Sequence, residues 1–314
     1  MTREASDNLE FTGERFTPEC VREIWYEHMH RYVLAGELVQ GKSVLDAACG
    51  EGYGAHYLAG KALAVTAVDV SPRTVAHATA RYQAPNLSYQ VADCRRLPFA
   101  DGQFTCIVSF ETLEHLQDQE ALLREFRRVL SADGFLVLSS PDKAVYSDQL
   151  HNENPWHLRE LYRHELESLL AGEFPAVKLL GQKLAFHSMI WKLGTRQGPS
   201  ASAGNSVTFH REQNGASVHS AVPAADAVYF IALCAAEERF LPPLQNHLWL
   251  FDDAAESVYQ HYLHEIRRNM QAGGILAARE REIEALKAAL QETNGRPAHG
   301  PVPRRWWRRL LGGS

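Results

Sequence analysis

The chain has 314 residues, of which 45% are hydrophobic and 22% charged, so it can bury a sizeable core and is neither disordered nor collagen-like. Its net charge is −6, and five arginines without an acid in residues 293–314 leave −11 on the first 292 residues. An acidic body disfavours nucleic-acid binding, because phosphate contacts need a basic surface. No run of eighteen apolar residues occurs, which predicts a cytoplasmic protein. Five cysteines without a CxxC pair indicate reduced thiols.

Apolar strands and amphipathic helices alternate along the chain from about residue 20. Strands of nearly continuous apolar character that are separated by helices indicate an α/β fold, with a parallel sheet covered on both faces. The predicted strands cover residues 43–47, 64–69, 87–91, 104–110, 134–140, 176–182 and 227–235. The predicted helices include residues 21–39, 71–82 and 118–130, and the Ser71-Pro72 pair is typical of a helix start.

The segments outside this alternation divide the chain into four regions. We predict an N-terminal lid region, a central domain with an insertion loop rich in Gly and Ser, a helical arm and a linker with a basic tail. Two consecutive glycines, Gly273 and Gly274, are expected to break the helix of the arm. The regions are 1–40, 41–240 with the loop at 194–225, 241–292, and 293–314.

The arm carries a short heptad pattern. Leu276, Ile283 and Leu290 recur seven residues apart, which is typical of a coiled coil. The repeat spans only two and a half heptads, so a solvated helix that lies on the domain is an equal alternative. A coiled coil would predict a homo-oligomer that forms through residues 276–290.

A glycine-rich turn follows the first predicted strand. Asp46 lies near the end of that strand, and Gly50, Gly52 and Gly54 follow it. Glycines let the backbone approach a ligand closely, and the start of the next helix directs amide donors towards it. Dinucleotide enzymes also have such a turn, so the glycines alone do not define the ligand.

Two further acids follow the next strands at regular spacing. Asp69 comes 23 residues after Asp46, and Asp93 comes 24 residues after Asp69. Each acid therefore falls at the carboxyl edge of one successive strand, where open α/β sheets bind ligands. There Asp69 can chelate a ribose diol and Asp93 can accept from an adenine amine, although a turn-capping role is the alternative for Asp93.

Four motifs resemble those of class I S-adenosylmethionine-dependent methyltransferases. They are VLDAACGEGYG at 44–54, AVDVS at 67–71, VADCRRLPFADGQFTCIVSFETLEHL at 91–116 and LREFRRVLSADGFLVLSSP at 123–141. A nicotinamide dehydrogenase would more usually have GxGxxG directly after the strand, and the LPFADGQFTCIVS run would not be expected to follow. The resemblance covers roughly residues 40–240 and implies a Rossmann-like sheet of seven strands with helices on both faces, and S-adenosylmethionine as cofactor.

The cofactor residues that the resemblance implies lie at the ends of the first four strands. Cys49, in the glycine turn, is interpreted as a small packing residue and not as a nucleophile. The implied residues are Asp46, Gly50, Gly52 and Gly54 for the methionine part, Asp69 for the ribose hydroxyls, Val70 and Cys94 beside the adenine, Asp93 for its amine, and Glu111 for orienting the cofactor or the active-site loop.

Methyl transfer from a sulfonium requires mainly positioning, but an alcohol acceptor must also lose a proton, and histidine is the usual base. We predict His115 and His157 as candidate catalytic residues. The alternatives are a helix-start residue bonded to a neighbouring loop for His115 and a capping residue for His157. Trp156 would either stack on a substrate or pack under the following helix. No spacing resembles a known ligand set, so we predict no metal.

Residues 11–19, 27–35 and 151–160 are similar to segments of methyltransferases from bacterial polysaccharide and surface-glycan loci. This similarity implies O-methylation of a sugar hydroxyl in a surface glycan or its precursor. It also implies an N-terminal helix that covers the cofactor, with Arg15 or Arg31 pairing with the cofactor carboxylate or forming a surface salt bridge. Methylation of a small metabolite or quinone, on oxygen, nitrogen or carbon, and a non-catalytic cofactor-binding scaffold are the alternatives.

The tail contains the sequence RRWWRRLL at residues 304–311. On a helix these residues would form a cationic amphipathic patch that suits an anionic lipid interface. We therefore expect peripheral contact with the inner membrane or docking to a glycosyltransferase partner, with a solvated disordered end as the alternative.

Overall fold

A computed structural model describes residues 23–187, 209–213, 216–220 and 226–294. The chain separates into two compact units, Met1–Asp253 and Ala254–Ser314. None of the described helices is both long and apolar enough to cross a membrane. Arg15, most of the insertion loop and the tail at 304–311 lie outside the described residues.

Among the described residues, the first unit contains nine strands and five of the six α-helices. The strands are β1 (Ser43–Ala47), β2 (Ala64–Asp69), β3 (Leu87–Val91), β4 (Phe104–Ser109), β5 (Leu130–Pro141), β6 (Ala176–Gln182), β7 (Phe209–Gln213), β8 (Ala216–Ser220) and β9 (Tyr229–Ala235). The helices are α1 (Glu23–Leu38), α2 (Tyr53–Ala59), α3 (Pro72–Arg81), α4 (Gln119–Val129) and α5 (Arg163–Ala171), with α6 (Ser257–Asn294) in the second unit. Shorter helical turns occupy Leu113–His115, Ala144–Gln149 and Glu238–Phe240.

Seven strands form one sheet in the order β3-β2-β1-β4-β5-β9-β6. β1 to β5 pair in parallel, whereas β9 is antiparallel to both of its neighbours, β5 and β6. The prediction of a parallel sheet is therefore wrong for β9. A buried strand has the same apolar character in either direction, so the sequence pattern does not reveal its orientation.

The strands bury side chains on both faces of the sheet. Leu45 of β1 pairs with Ile107 of β4, and Ile107 pairs with Leu136 of β5. All three are fully buried in the apolar cluster that includes residues of α4 and α5. Val44 and Cys106 point to the opposite face, into a second cluster with residues of α1 and α2. This arrangement confirms the predicted Rossmann-like, seven-stranded sheet with helices on both faces.

Local signals set the start of α3 as predicted. The Oγ atom of Ser71 accepts a hydrogen bond from the backbone N–H of Thr74 at 3.3 Å, and Pro72 occupies the first helical position. The following strand, β3, has the predicted bounds. Asp46 lies near the carboxyl end of β1, and Asp69 is the last residue of β2, as predicted.

Two predicted segments differ from the structure. The region interpreted as an insertion loop contains the antiparallel pair of β7 and β8. The helix α6 runs without a break across Gly273 and Gly274, so the predicted break is wrong. Each glycine destabilises a helix by only about 1 kcal/mol relative to alanine, so a helix of 38 residues can contain both glycines. A coiled coil remains a prediction.

Candidate active site

The glycine turn connects β1 to α2 through left-handed backbone. Gly50 has φ 54° and Gly52, the N-cap of α2, has φ 96°. Such angles favour glycine. Gly54 has a different reason: a Cβ atom there would lie 2.0 Å from the Tyr32 ring, so its absence lets α1 pack directly on the turn.

The side chain of Glu51 connects this turn to α3 and to the residue that follows α3. Its buried carboxylate lies 3.0 Å from His77 Nε2 and 2.9 Å from Arg81 Nη1, and it accepts from Tyr82 Oη at 2.8 Å. The sequence analysis missed Glu51. Its partners lie 26 to 31 residues away, so only the fold brings them together.

Asp46 is fully buried behind the turn. Tyr32 Oη donates to it over 3.4 Å. Burial raises the pKa of Asp46 to about 7, the hydrogen bond from Tyr32 opposes this shift, and the charge of Asp69 adds to it. Asp46 does not line the cavity described below. Any contact that it makes with a ligand therefore passes through the turn or through Tyr32.

Asp69 is held in a fixed orientation at the end of β2. Its Oδ2 atom accepts from the Gly50 N–H at 3.2 Å, and Oδ1 accepts from the Ser71 N–H at 2.8 Å. The neighbouring Val70 is two-thirds exposed, at 67%. Both residues border the cavity, in positions that suit a ribose and a flat ring.

Asp93 and Cys94 follow β3. Asp93 is paired with Arg95 through two hydrogen bonds of 3.0 and 2.7 Å, which lower its pKa. An adenine amine at Asp93 would therefore share the carboxylate with Arg95. Burial raises the pKa of Cys94 to about 12, so its thiol is neutral.

A cavity of about 470 Å³ lies at the carboxyl edge of the sheet. Its size falls in the range of small-molecule sites. Eight of the predicted site residues line it together, whereas Asp46, Gly52 and Gly54 lie outside its lining. The eight are Gly50, Asp69, Val70, Asp93, Cys94, Glu111, His115 and His157. The cavity wall also includes Ile24, His28 and Tyr32 of α1 and the aromatic residues Tyr53, Phe110, Tyr146 and Tyr229, none of which the sequence analysis had singled out.

The two histidines meet at one end of this cavity. Their rings are 5.1 Å apart and nearly perpendicular, at 82°. His115 Nδ1 lies 2.9 Å from the Trp156 carbonyl, and His157 Nδ1 lies 2.5 Å from a carboxylate oxygen of Glu160. A carbonyl and a carboxylate only accept hydrogen bonds, so Nδ1 carries the proton in both neutral rings. The basic nitrogen of each ring is therefore Nε2.

The Trp156 side chain does not line the cavity. It is 44% exposed, so it is not packed under the following helix. Its backbone carbonyl, which orients His115, is the group that contributes to the site.

Arg31 is buried, so the expected surface salt bridge is wrong. Its Nε donates to Gln182 at 2.6 Å, its Nη1 lies 3.1 Å from Glu111 Oε1, and its guanidinium stacks 4.3 Å over the Tyr229 ring. The Nη1 contact is an ion pair whose angle is poor for a hydrogen bond. Arg31 does not line the cavity, and it faces Glu111, which also accepts from Ser139 Oγ at 2.7 Å.

Residues 45–138 match the family described as "Methyltransferase domain". A probable S-adenosylmethionine-dependent methyltransferase of Mycobacterium tuberculosis is 38% identical over 165 residues, which cover 52% of this chain and 60% of that protein. The O-methyltransferase resE of Aspergillus sclerotiorum is 34% identical over 104 residues, 32% of this chain and 39% of that protein. A solved structure, the YcgJ protein of Bacillus, has a TM-score of 0.46 at 20% identity, covering 67% of this chain and all of that one.

The strand order and the glycine turn are those of the class I methyltransferase fold, and residues 45–138 within this fold match the methyltransferase domain family. The cofactor of this fold is S-adenosylmethionine. The Gly50 backbone, the oriented Asp69 and the exposed Val70 border one cavity and fit this cofactor. This chain spans about three fifths of the length of the mycobacterial relative.

Proposed function

We propose that the protein transfers the methyl group of S-adenosylmethionine to a hydroxyl oxygen of a sugar, in a surface glycan or its precursor. The observation that carries this proposal is the pair His115 and His157. Their basic Nε2 atoms belong to rings that line the same cavity as the glycine turn. An oxygen acceptor must lose its proton, and basic groups at the far end of a cofactor cavity suit that requirement.

The cofactor supplies an activated methyl group, and the residues of the chain supply position. Asp69 is fixed by two backbone N–H groups, which is the preorganisation that a ribose-binding carboxylate needs. Residues of α1 form part of the cavity wall, and this position supports the proposal that the N-terminal helix covers the cofactor. Glu111, held by Arg31 and Ser139, fixes the turn that leads to His115.

One observation supports a sugar hydroxyl as the acceptor. Asn154 and His157 lie in the segment that is similar to glycan-locus methyltransferases, and both line the cavity with Tyr146, so this end is polar enough to bind hydroxyl groups.

A small metabolite is the second candidate acceptor. One cavity of about 470 Å³ must hold the cofactor and the acceptor group together. The space that remains admits a single sugar ring, a phenol or a quinone equally well.

The test uses the full chain and S-adenosylmethionine with a labelled methyl group. We expect label to enter a surface-polysaccharide extract, and His115→Ala and His157→Ala to lower kcat by about 10²- to 10⁴-fold with little change in cofactor affinity. His164→Ala, an exposed histidine on α5, is the matched control. Label only in phenols or quinones would favour the second candidate. Full rates in both variants would exclude a catalytic role for either histidine, and cofactor binding without turnover on any acceptor would indicate a scaffold.

We further propose that residues 304–311 make a peripheral contact with the inner membrane or with a glycosyltransferase. The support is compositional: four arginines, two tryptophans and two leucines in eight residues. We expect deletion of residues 304–314 to reduce the share of protein in the membrane fraction. An unchanged share would exclude this contact.

A further inference from the structure

Three side chains converge beneath the acceptor end of the cavity. One ligand atom each from Glu114, His115 and His157 lies within 4.8 Å of the others. The short helical turn Leu113–His115 directs Glu114 inwards, and its backbone carbonyl accepts from the Leu158 N–H at 2.8 Å. That hydrogen bond holds the loop of His157 against the turn of His115.

The Glu114 carboxylate lacks a partner in this arrangement. Its side chain is fully buried, and within the described part of the chain neither oxygen accepts a hydrogen bond. The nearby buried cation, Arg31, pairs with Glu111 at 3.1 Å, so two carboxylates share one guanidinium. A buried carboxylate without hydrogen bonds is costly, and a bound cation would remove that cost.

The two imidazoles are oriented as metal ligands usually are. Histidines that bind metals typically donate the other ring N–H to a carbonyl or a carboxylate. Here the Trp156 carbonyl and Glu160 accept from Nδ1 of His115 and His157, and Glu160 itself accepts from Ser147 Oγ. Coordination would therefore use Nε2 of both rings.

We propose that Glu114, His115 and His157 bind a divalent transition-metal ion of the zinc type. Two imidazoles and one carboxylate with a remaining open position are typical of catalytic zinc, whereas Mg²⁺ prefers oxygen ligands. Tetrahedral ligands bound at about 2.0–2.2 Å lie roughly 3.3–3.6 Å apart, so ligand atoms now within 4.8 Å of one another would have to approach by up to about 1.5 Å, a movement that the three side chains can share. His115 and His157 line the cavity, so the open position faces the acceptor.

The chemical role of the ion rests on the proposed function, although its binding does not. The acceptor hydroxyl would coordinate the ion, which lowers the pKa of the hydroxyl and lets its proton leave to solvent water. An oxygen lone pair then forms the bond to the methyl carbon while the carbon–sulfur bond breaks, and that electron pair stays on sulfur. In this role the two histidines bind the metal ion and do not act as general bases. The expectation of no metal came from chain spacing, and His157 lies 42 residues after His115, so only the fold joins them.

The test measures metal binding by the full chain without an acceptor. The chelated protein is titrated with Zn²⁺ by calorimetry and with Co²⁺ by visible absorption, and Mg²⁺ serves as the comparison. We expect one Zn²⁺ per chain and a Co²⁺ absorption band of low-coordinate type. His157→Ala and Glu114→Gln should weaken binding at least tenfold, Glu160→Gln should weaken it about 10- to 100-fold by releasing His157, and His164→Ala should bind as the wild type does.

The result that overturns the proposal is a wild-type chain that binds neither Zn²⁺ nor Co²⁺, or Zn²⁺ affinity that is the same in His157→Ala and His164→Ala. Because Glu114 is buried, circular dichroism is used to check that each variant folds. If Glu114→Gln does not fold, the wild-type titration and the Glu160→Gln variant test the proposal in its place. S-adenosylmethionine binding is measured in parallel. Its loss would count against the proposed function, whereas loss of Zn²⁺ binding alone counts against the metal site.

Discussion

At the scale of single residues, Asp46 makes the free energy of unfolding depend on pH. Its pKa of about 7 lies above the 3.8 of an unperturbed aspartate, so between these values the folded state binds more protons than the unfolded state. The free energy of unfolding therefore falls as pH rises from 4 to 7, by about 4 kcal/mol from this residue. Urea unfolding of the cofactor-free protein across this range should show a smaller fall in Asp46→Asn than in the wild type.

The control for this prediction is Asp133→Asn, which removes an exposed carboxylate. It should follow the wild-type pH profile. Parallel profiles for Asp46→Asn and the wild type would mean that Asp46 is ionised in the folded protein at low pH, in contradiction to its burial.

Gly54 is a second residue at which the structure predicts a clear effect of substitution. A methyl group at this position must displace the Tyr32 ring, 2.0 Å away, and with it the packing of α1 on the turn. We expect Gly54→Ala to lower the free energy of unfolding by about 1–3 kcal/mol and to weaken cofactor binding. Gly60→Ala at the end of the same helix is the control, because its nearest contact would be 3.4 Å. Equal stability in the two variants would show that Tyr32 moves at no cost.

At the scale of elements, α6 shows how weakly two glycines oppose a helix. A Cβ atom at Gly273 or Gly274 would meet nothing within 4 Å. Replacing both with alanine should stabilise the helix by up to about 1 kcal/mol each, because alanine loses less backbone entropy. Amide hydrogen exchange of α6 should slow several-fold, whereas Ala277→Gly should accelerate it. Unchanged exchange in the alanine variant would indicate that α6 is not a continuous helix in solution.

The orientation of β9 belongs to the same scale. Its apolar run predicted a buried strand, and the structure confirms that strand. Its direction depends on where the preceding segment leaves the sheet. β9 pairs with β5 and with β6, so its register is set by partners that lie about ninety and about fifty residues earlier in the chain, respectively. No local pattern carries that information.

At the scale of the whole molecule, the open question is assembly. Leu276, Ile283 and Leu290 are each at least half exposed in the described chain. We propose that they pair with the same residues of a second copy, since a heptad pattern is self-complementary. Ile283→Lys should convert a dimer to a monomer in light scattering after size exclusion. Arg279→Ala, which removes only an exposed ion pair with Glu282, should leave the mass unchanged. A monomeric wild-type protein would exclude this pairing between two copies of α6.

The sequence alone determined the seven strands of the large sheet, the glycine turn and the acids at the strand ends, because these depend on local periodicity and on residues next to each strand. It also determined that His115 and His157 were candidates. Only the tertiary structure decided that the two rings lie near Glu114, that Arg31 is buried against Glu111, and that the packing of Tyr32 requires a glycine at position 54. Those contacts join residues far apart in the chain, and their energies depend on burial, which no local pattern specifies.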